Sequence, residues 1–151
     1  MKNKFSKIFE TRWSDFDANH HMRHTVYNDC AAQLRLDLLV ESNFDMKRIT
    51  KLGLGPVLLR EETKFIKEVH IGENIRVHVE VIGLSESGHR WNMLHHIYKN
   101  EDTLVAIITV EGAWIDIKRR KLTAPPEELN KYFLEKFKSD DFKWIENKLK
   151  S

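Results

Sequence analysis

Apolar and polar residues alternate most cleanly over 75–82. Ile75, Val77, Val79 and Val81 fall on one side, and Arg76, His78 and Glu80 on the other. A period of two marks a strand with one face in a core. Four other stretches read as strands. Residues 89–98 place Trp91, Met93, His95 and Ile97 on one face. Residues 103–117 begin apolar on both faces, Leu104 through Ile108, as a central strand does. Residues 57–69 form another, and a weaker alternation of Phe9, Thr11 and Trp13 predicts a first strand over 5–13. Ile71-Gly72-Glu73-Asn74, Ser85 to Gly88 and Lys99 to Asp102 separate the later strands as polar turns.

The period changes in three places. Tyr27, Cys30, Ala31, Leu34 and Leu38 recur at three and four residues, which predicts a helix over 25–41 with Thr25 as its N-cap. At ~1.5 Å per residue it would be roughly 25 Å long, the width of a small sheet. Val26, Leu36, Leu39 and Val40 widen the stripe, so burial on more than one side is expected. Residues 43–56 are irregular, with a helical turn over Met46 to Leu52. After Pro125-Pro126, Leu129, Phe133 and Phe137 mark a helix that Pro126 would open. Ser139-Asp140-Asp141 resembles a second cap, leading to a last short helix with Ile145 and Leu149 on one side.

One long helix followed by strands at hairpin spacing predicts an α+β layer, and the near-continuous hydrophobicity of that helix predicts that the sheet curls around it. No repeat or linker divides the chain. It reads as one domain, residues 1–151, with a core over about 5–125 and a helical C-terminal extension, 126–151.

Composition narrows the class. At 151 residues, 41% hydrophobic and 32% charged, the chain can bury a real core. A formal net charge of +2 from intermixed acids and bases gives no footprint for nucleic acid. The single cysteine, Cys30, rules out an intrachain disulfide and suggests a reducing compartment. Without an apolar run of signal-peptide or membrane-span length, a cytoplasmic protein with no membrane partner is expected.

The richest chemistry lies in 11–35. Asp15 and Asp17 end the first strand, three histidines follow, and the long helix then begins. That order sets a carboxylate beside unpaired backbone N–H groups, which can activate water and hold a developing oxyanion. Asp17 is the candidate base or nucleophile, and the N–H groups near His24 are the candidate oxyanion donors. Asp15 is expected to brace the loop backbone. His20, His21 and His24 invite a metal reading with Asp17, but His20 and His21 adjoin in a loop and no His-Glu-x-x-His is present. No metal is expected. Asp29, Glu61 and Glu62 are reserve acids, and Cys30 a small core residue. His95 and His96 are expected at a surface or interface. Arg60, Arg90 and the run Lys118-Arg119-Arg120-Lys121 are candidates for contacting phosphates, the run reading first as a solvated surface.

Asp15, Asp17, His21, Met22, Arg23, His24, Tyr27 and Arg35, with Ile71-Gly72-Glu73 and the strand beyond it, resemble the hotdog-fold acyl-CoA thioesterases of the 4-hydroxybenzoyl-CoA thioesterase type. The resemblance covers about residues 5–125. It implies a curved antiparallel sheet wrapped around a central helix, and hydrolysis of an acyl or aryl thioester to acid and thiol. It also implies Asp17 as the catalytic carboxylate, with His21 and Tyr27 shaping the pocket. Coenzyme A or an acyl carrier would enter only as part of the substrate, with no separate cofactor, and sheets would pair edge to edge in a homodimer or homotetramer. Two departures from the pattern stand out. Arg23-His24 replaces an Asn-Asn pair, and Ala32 replaces an acid. They motivate a second reading, a non-catalytic module that binds acyl-CoA or an acyl carrier.

Overall fold

The computed structural model describes residues 4–149. Along the chain run β1 (Phe5–Phe9), a single 3-10 turn (Trp13–Asp15), α1 (His24–Glu41), α2 (Met46–Lys51) and β2 (Leu54–Phe65). Then come β3 (Ile75–Ser85), β4 (Arg90–Lys99), β5 (Thr103–Asp116), β6 (Lys121–Leu122), α3 (Glu127–Lys136) and β7 (Lys138–Ile145). The strands form one sheet in the order β1-β3-β4-β5-β2, with β6 added to β5 and β7 to β3. Every pairing is antiparallel except β3 with β7.

The alternation of β3 is realised as read: Ile75, Val77, Val79 and Val81 are buried against α1, whose Ala31, Leu34 and Leu38 are fully enclosed. The sheet curls around this helix, the hotdog arrangement the resemblance implied. The wider helix stripe is buried only in part. Val26 and Leu39 join the core, while Leu36 and Val40 stay exposed. No helix among the described residues is long and apolar enough to cross a membrane.

Three expectations are corrected. The first strand stops at Phe9, and Trp13 is 80% exposed. The chain turns there because Asp15 bonds back to Arg12: its Oδ2 accepts the Arg12 N–H at 2.8 Å and its own N–H donates to the Arg12 carbonyl at 2.9 Å. The long helix starts at His24 with Arg23 in the cap position, not Thr25, and no side chain among the described residues caps it.

The third correction is the C-terminus, where α3 is followed by a strand instead of another helix. The Ser139 hydroxyl does accept a backbone N–H, that of Asp141 at 3.2 Å, but no helix follows. The cause is tertiary. β1 covers β3 only from Ile75 to Val79, leaving the rest of that edge open. β7 pairs along Val81 to Ser85 and fills it.

Candidate active site

The loop after the 3-10 turn is a small hydrogen-bonded cage. Phe16 and Met22 bridge antiparallel across its neck. Within it the Asp17 N–H donates to the His21 carbonyl at 2.9 Å, and the His20 N–H to the Asp17 carbonyl at 3.0 Å. His20 takes a left-handed φ of 64° to close the turn. The Asp17 carboxylate uses Oδ1 to accept the N–H groups of Asn19 at 2.9 Å and His21 at 3.1 Å. Oδ2 has no partner among the described residues. One oxygen is fixed by the backbone, which aims the other outward. Asp15 is the buried brace expected, tied to Arg12 by its side chain and to the Arg23 N–H by its carbonyl at 2.8 Å.

Beyond the loop, α1 opens uncapped. The Val26 N–H turns back to the Arg23 carbonyl at 3.0 Å, leaving those of His24 and Thr25 without an acceptor among the described residues. Free N–H groups at a helix start carry partial positive charge. His24, His21, Tyr27, Phe65 and Glu68 border a cavity of about 270 Å³ at this end. Tyr27 packs edge-on to Phe65 at 5.2 Å. Its hydroxyl pKa is raised, first by burial.

Further along the helix a second cavity, about 200 Å³ and largely apolar, lies between α1 and β2. Ala32, Arg35, Leu39, Val57, Trp91 and Met93 are among its walls. Arg35 has no carboxylate within ion-pair distance among the described residues. Its polar neighbour is His95, whose Nε2 lies 3.3 Å from Nη1. His95 Nδ1 lies 3.0 Å from the Ile108 carbonyl, so it carries the proton and donates there, leaving Nε2 to accept from Arg35. Burial, followed by the Arg35 charge, lowers the His95 pKa to about 3.

The structure distributes the expected residues unevenly. His21, His24 and Tyr27 share one cavity, while Asp17 faces a separate depression with Trp13, Phe16, His20 and Ile71. His20, His21 and His24 do not gather around one point with Asp17. Instead His21 Nε2 lies 3.1 Å from Glu68 Oε2. Arg60 is exposed and paired with Glu62 at 3.2 Å and Glu111 at 3.4 Å. Arg90 is half-buried and its Nε has no partner among the described residues. Neither arginine borders either cavity. The reserve acid Glu61 holds Asn28 at 2.9 Å, and Asp29 is exposed. Cys30 packs on the core, its thiol pKa pushed up to about 11 by burial first. Lys118 to Lys121 is exposed, as read.

His95 overturns an expectation: it is fully buried, not at a surface. The strand pattern had already placed it on the face of Trp91 and Ile97, and that face points inward. Glu68 and His70 were missed altogether. Their one trace in the sequence was spacing by two, which sets both on one side of an extended segment.

Residues 11–133 match a family model described as the thioesterase-like superfamily. No curated protein matches the chain. Among solved structures, a hypothetical protein from Staphylococcus aureus, determined in complex with CoA, is 19% identical. Its TM-score is 0.83, covering 97% of this chain and 92% of that one. A 1,4-dihydroxy-2-naphthoyl-CoA thioesterase from Synechocystis is 16% identical, with a TM-score of 0.78 over 87% of this chain and 96% of that one. A DHNA-CoA thioesterase from Staphylococcus aureus is 19% identical, with a TM-score of 0.74 over 87% and 84%.

Proposed function

The chain belongs to the thioesterase-like superfamily, and from that premise we propose that it hydrolyses an acyl-CoA or aryl-CoA thioester to a carboxylic acid and a free thiol. The observation that carries the reading is the uncapped start of α1, opening on a cavity immediately after the loop that fixes Asp17. A thioester carbonyl placed there would accept hydrogen bonds from the His24 and Thr25 N–H groups as charge develops on oxygen. Asp17 takes the proton of an attacking water, or attacks the carbonyl carbon itself to form a mixed anhydride that water then hydrolyses to the acid, freeing Asp17. In either route the C–S bond breaks and the sulfur leaves to be protonated. His21 and Tyr27 shape the entrance, and the apolar cavity beside Arg35 receives the acyl or aryl group. Of the phosphate candidates Arg60 and Arg90, Arg60 is the more exposed, and it would have to leave Glu62 and Glu111 to meet a phosphate of coenzyme A. Support for that carrier comes from the structural neighbour solved with CoA.

The assembly we propose is a homodimer across β2, or a tetramer built from it. β2 is a 12-residue strand that, among the described residues, pairs on one side only, and it exposes Leu58 and Leu59, with Phe65 and Ile66 at its end. A long apolar edge of this kind is a template for another strand.

A second reading, an acyl-CoA binding module without turnover, is favoured by one feature: Asp17 and His24 border different depressions. Free-thiol release from a panel of aliphatic and aromatic acyl-CoAs separates the two. Asp17→Asn should lower kcat by ~10² or more, the range of a positioned acid–base group. Unchanged turnover in Asp17→Asn removes Asp17 from the chemistry. Saturable acyl-CoA binding with no thiol release from any substrate establishes the module.

A further inference from the structure

The histidine loop meets a second group of ligating side chains, which the hydrolytic reading does not use. After β2 the chain runs through Glu68-Val69-His70-Ile71 alongside that loop. The Met22 N–H donates to the Val69 carbonyl at 2.8 Å, and the Ile71 N–H to the His20 carbonyl at 3.2 Å. These bonds set His21 directly opposite His70 in an antiparallel bridge. Opposed residues of such a pair project on one face, and a residue two positions along shares that face. The backbone therefore aims His21, His70 and Glu68 together.

The side chains follow. His21 Nε2 lies 3.1 Å from Glu68 Oε2, and His70 Nε2 lies 3.9 Å from the same oxygen. All three donor atoms fall within 4.8 Å of one another. The two imidazoles stand edge to face, 5.0 Å apart between centroids. Metal–ligand bonds of about 2.0–2.2 Å in a tetrahedron place donor atoms roughly 3.3 Å apart. The His21–Glu68 pair already meets that spacing, and the His70–Glu68 pair meets it after closing by about half an ångström. The segment is held from behind as well. Glu73 Oε1 accepts the His70 N–H at 2.8 Å, and Lys99 Nζ donates to the Glu68 carbonyl at 2.6 Å. All three side chains reach solvent, so an ion can enter and keep water in its remaining position.

We propose that His21, Glu68 and His70 bind one divalent transition-metal ion of the zinc class, fastening the Asp17 loop to the segment after β2. Two imidazole nitrogens and one carboxylate oxygen select Zn²⁺, Co²⁺, Ni²⁺ or Cu²⁺ over Mg²⁺ and Ca²⁺, which need more oxygen ligands. The assignment uses a different donor set from His20, His21 and His24. Its partners lie 47 and 49 residues beyond His21 (68 − 21 and 70 − 21), where local spacing carries no signal. It is independent of whether the protein hydrolyses thioesters.

The test uses full-length protein purified without a chelating resin, stripped with EDTA and titrated with Zn²⁺ in a calorimeter, with Co²⁺ absorption as a second readout. One Zn²⁺ per chain with micromolar or tighter affinity and a raised Tm is expected. His70→Ala and Glu68→Gln should each weaken binding at least tenfold. His20→Asn, which tolerates the left-handed backbone and alters no proposed ligand, should bind as wild type does. Circular dichroism of the stripped variants reports folding, and Glu68→Gln stands in if His70→Ala fails to fold. No heat and no Tm shift at about 100 µM Zn²⁺, equal affinity in Glu68→Gln, or loss of binding in His20→Asn overturns the assignment.

Discussion

Acid should weaken this fold through His95, by an amount the structure allows to be worked out. The ring is fully buried on β4, donating from Nδ1 to the Ile108 carbonyl and accepting at Nε2 from Arg35. Protonation would place a second cation against the Arg35 guanidinium with no carboxylate within ion-pair distance among the described residues. Burial and that charge hold the folded pKa at about 3, whereas an unfolded histidine titrates near 6.5. Between these values the unfolded chain binds the extra proton, so stability rises with pH. The contribution is complete above about pH 6.5 and is lost progressively down to about pH 3. From pH 7.0 to 4.5 the loss amounts to nearly two pH units at ~1.36 kcal/mol each, or ~2.5 kcal/mol. His78 and His96, also lowered first by burial, act in the same direction, whereas Glu80, raised first by burial, opposes it. A comparison with His95→Gln removes those shared contributions, because an amide can still donate and accept but does not titrate. Urea unfolding of both proteins at pH 7.0 and 4.5 gives the answer. Wild type should lose ~2–3 kcal/mol more than the variant across that interval. Parallel losses would mean that His95 is not held neutral and that the buried Arg35–His95 contact is wrongly placed.

Three further outcomes follow from the packing. Gly112→Ala would drive a Cβ into the Trp91 ring, which is buried and has little room to move, so a loss of ~1–3 kcal/mol or more is expected in chemical denaturation. A wild-type midpoint would show that β4 and β5 are spaced differently at that step. Asp15→Ala strips the Arg12 N–H of its acceptor and should cost ~1–3 kcal/mol, seen as a lower Tm. An unchanged Tm would demote Asp15 from brace to bystander. Leu59→Lys places a charge on the open β2 edge and should shift the species in sedimentation equilibrium toward monomer. An unshifted distribution would move the interface away from β2.

Much of the scaffold is written in local periodicity. The period-two run at 75–82, the stripe from Tyr27 to Leu38 and the Pro-led stripe from Leu129 to Phe133 each formed the expected element, because one face of each must leave water. The order of those elements indicated an α+β layer, and the near-continuous hydrophobicity of the long helix indicated that the sheet curls around it. Asp15 as a brace was legible too, since a short acid in a turn bonds nearby backbone.

What local pattern left open was decided by partners distant in sequence. Residues 138–145 became a strand because β1 is too short to cover β3, a fact about β1 and not about Ser139 to Ile145. His95 went inside because its face of β4 meets the core, where Ile108 and Arg35 satisfy both ring nitrogens. His21 acquired Glu68 and His70 as neighbours only when the loop bridged to the segment after β2. Periodicity reports which face a residue takes. Chain closure decides what that face meets, and that is a long-range property no short window contains.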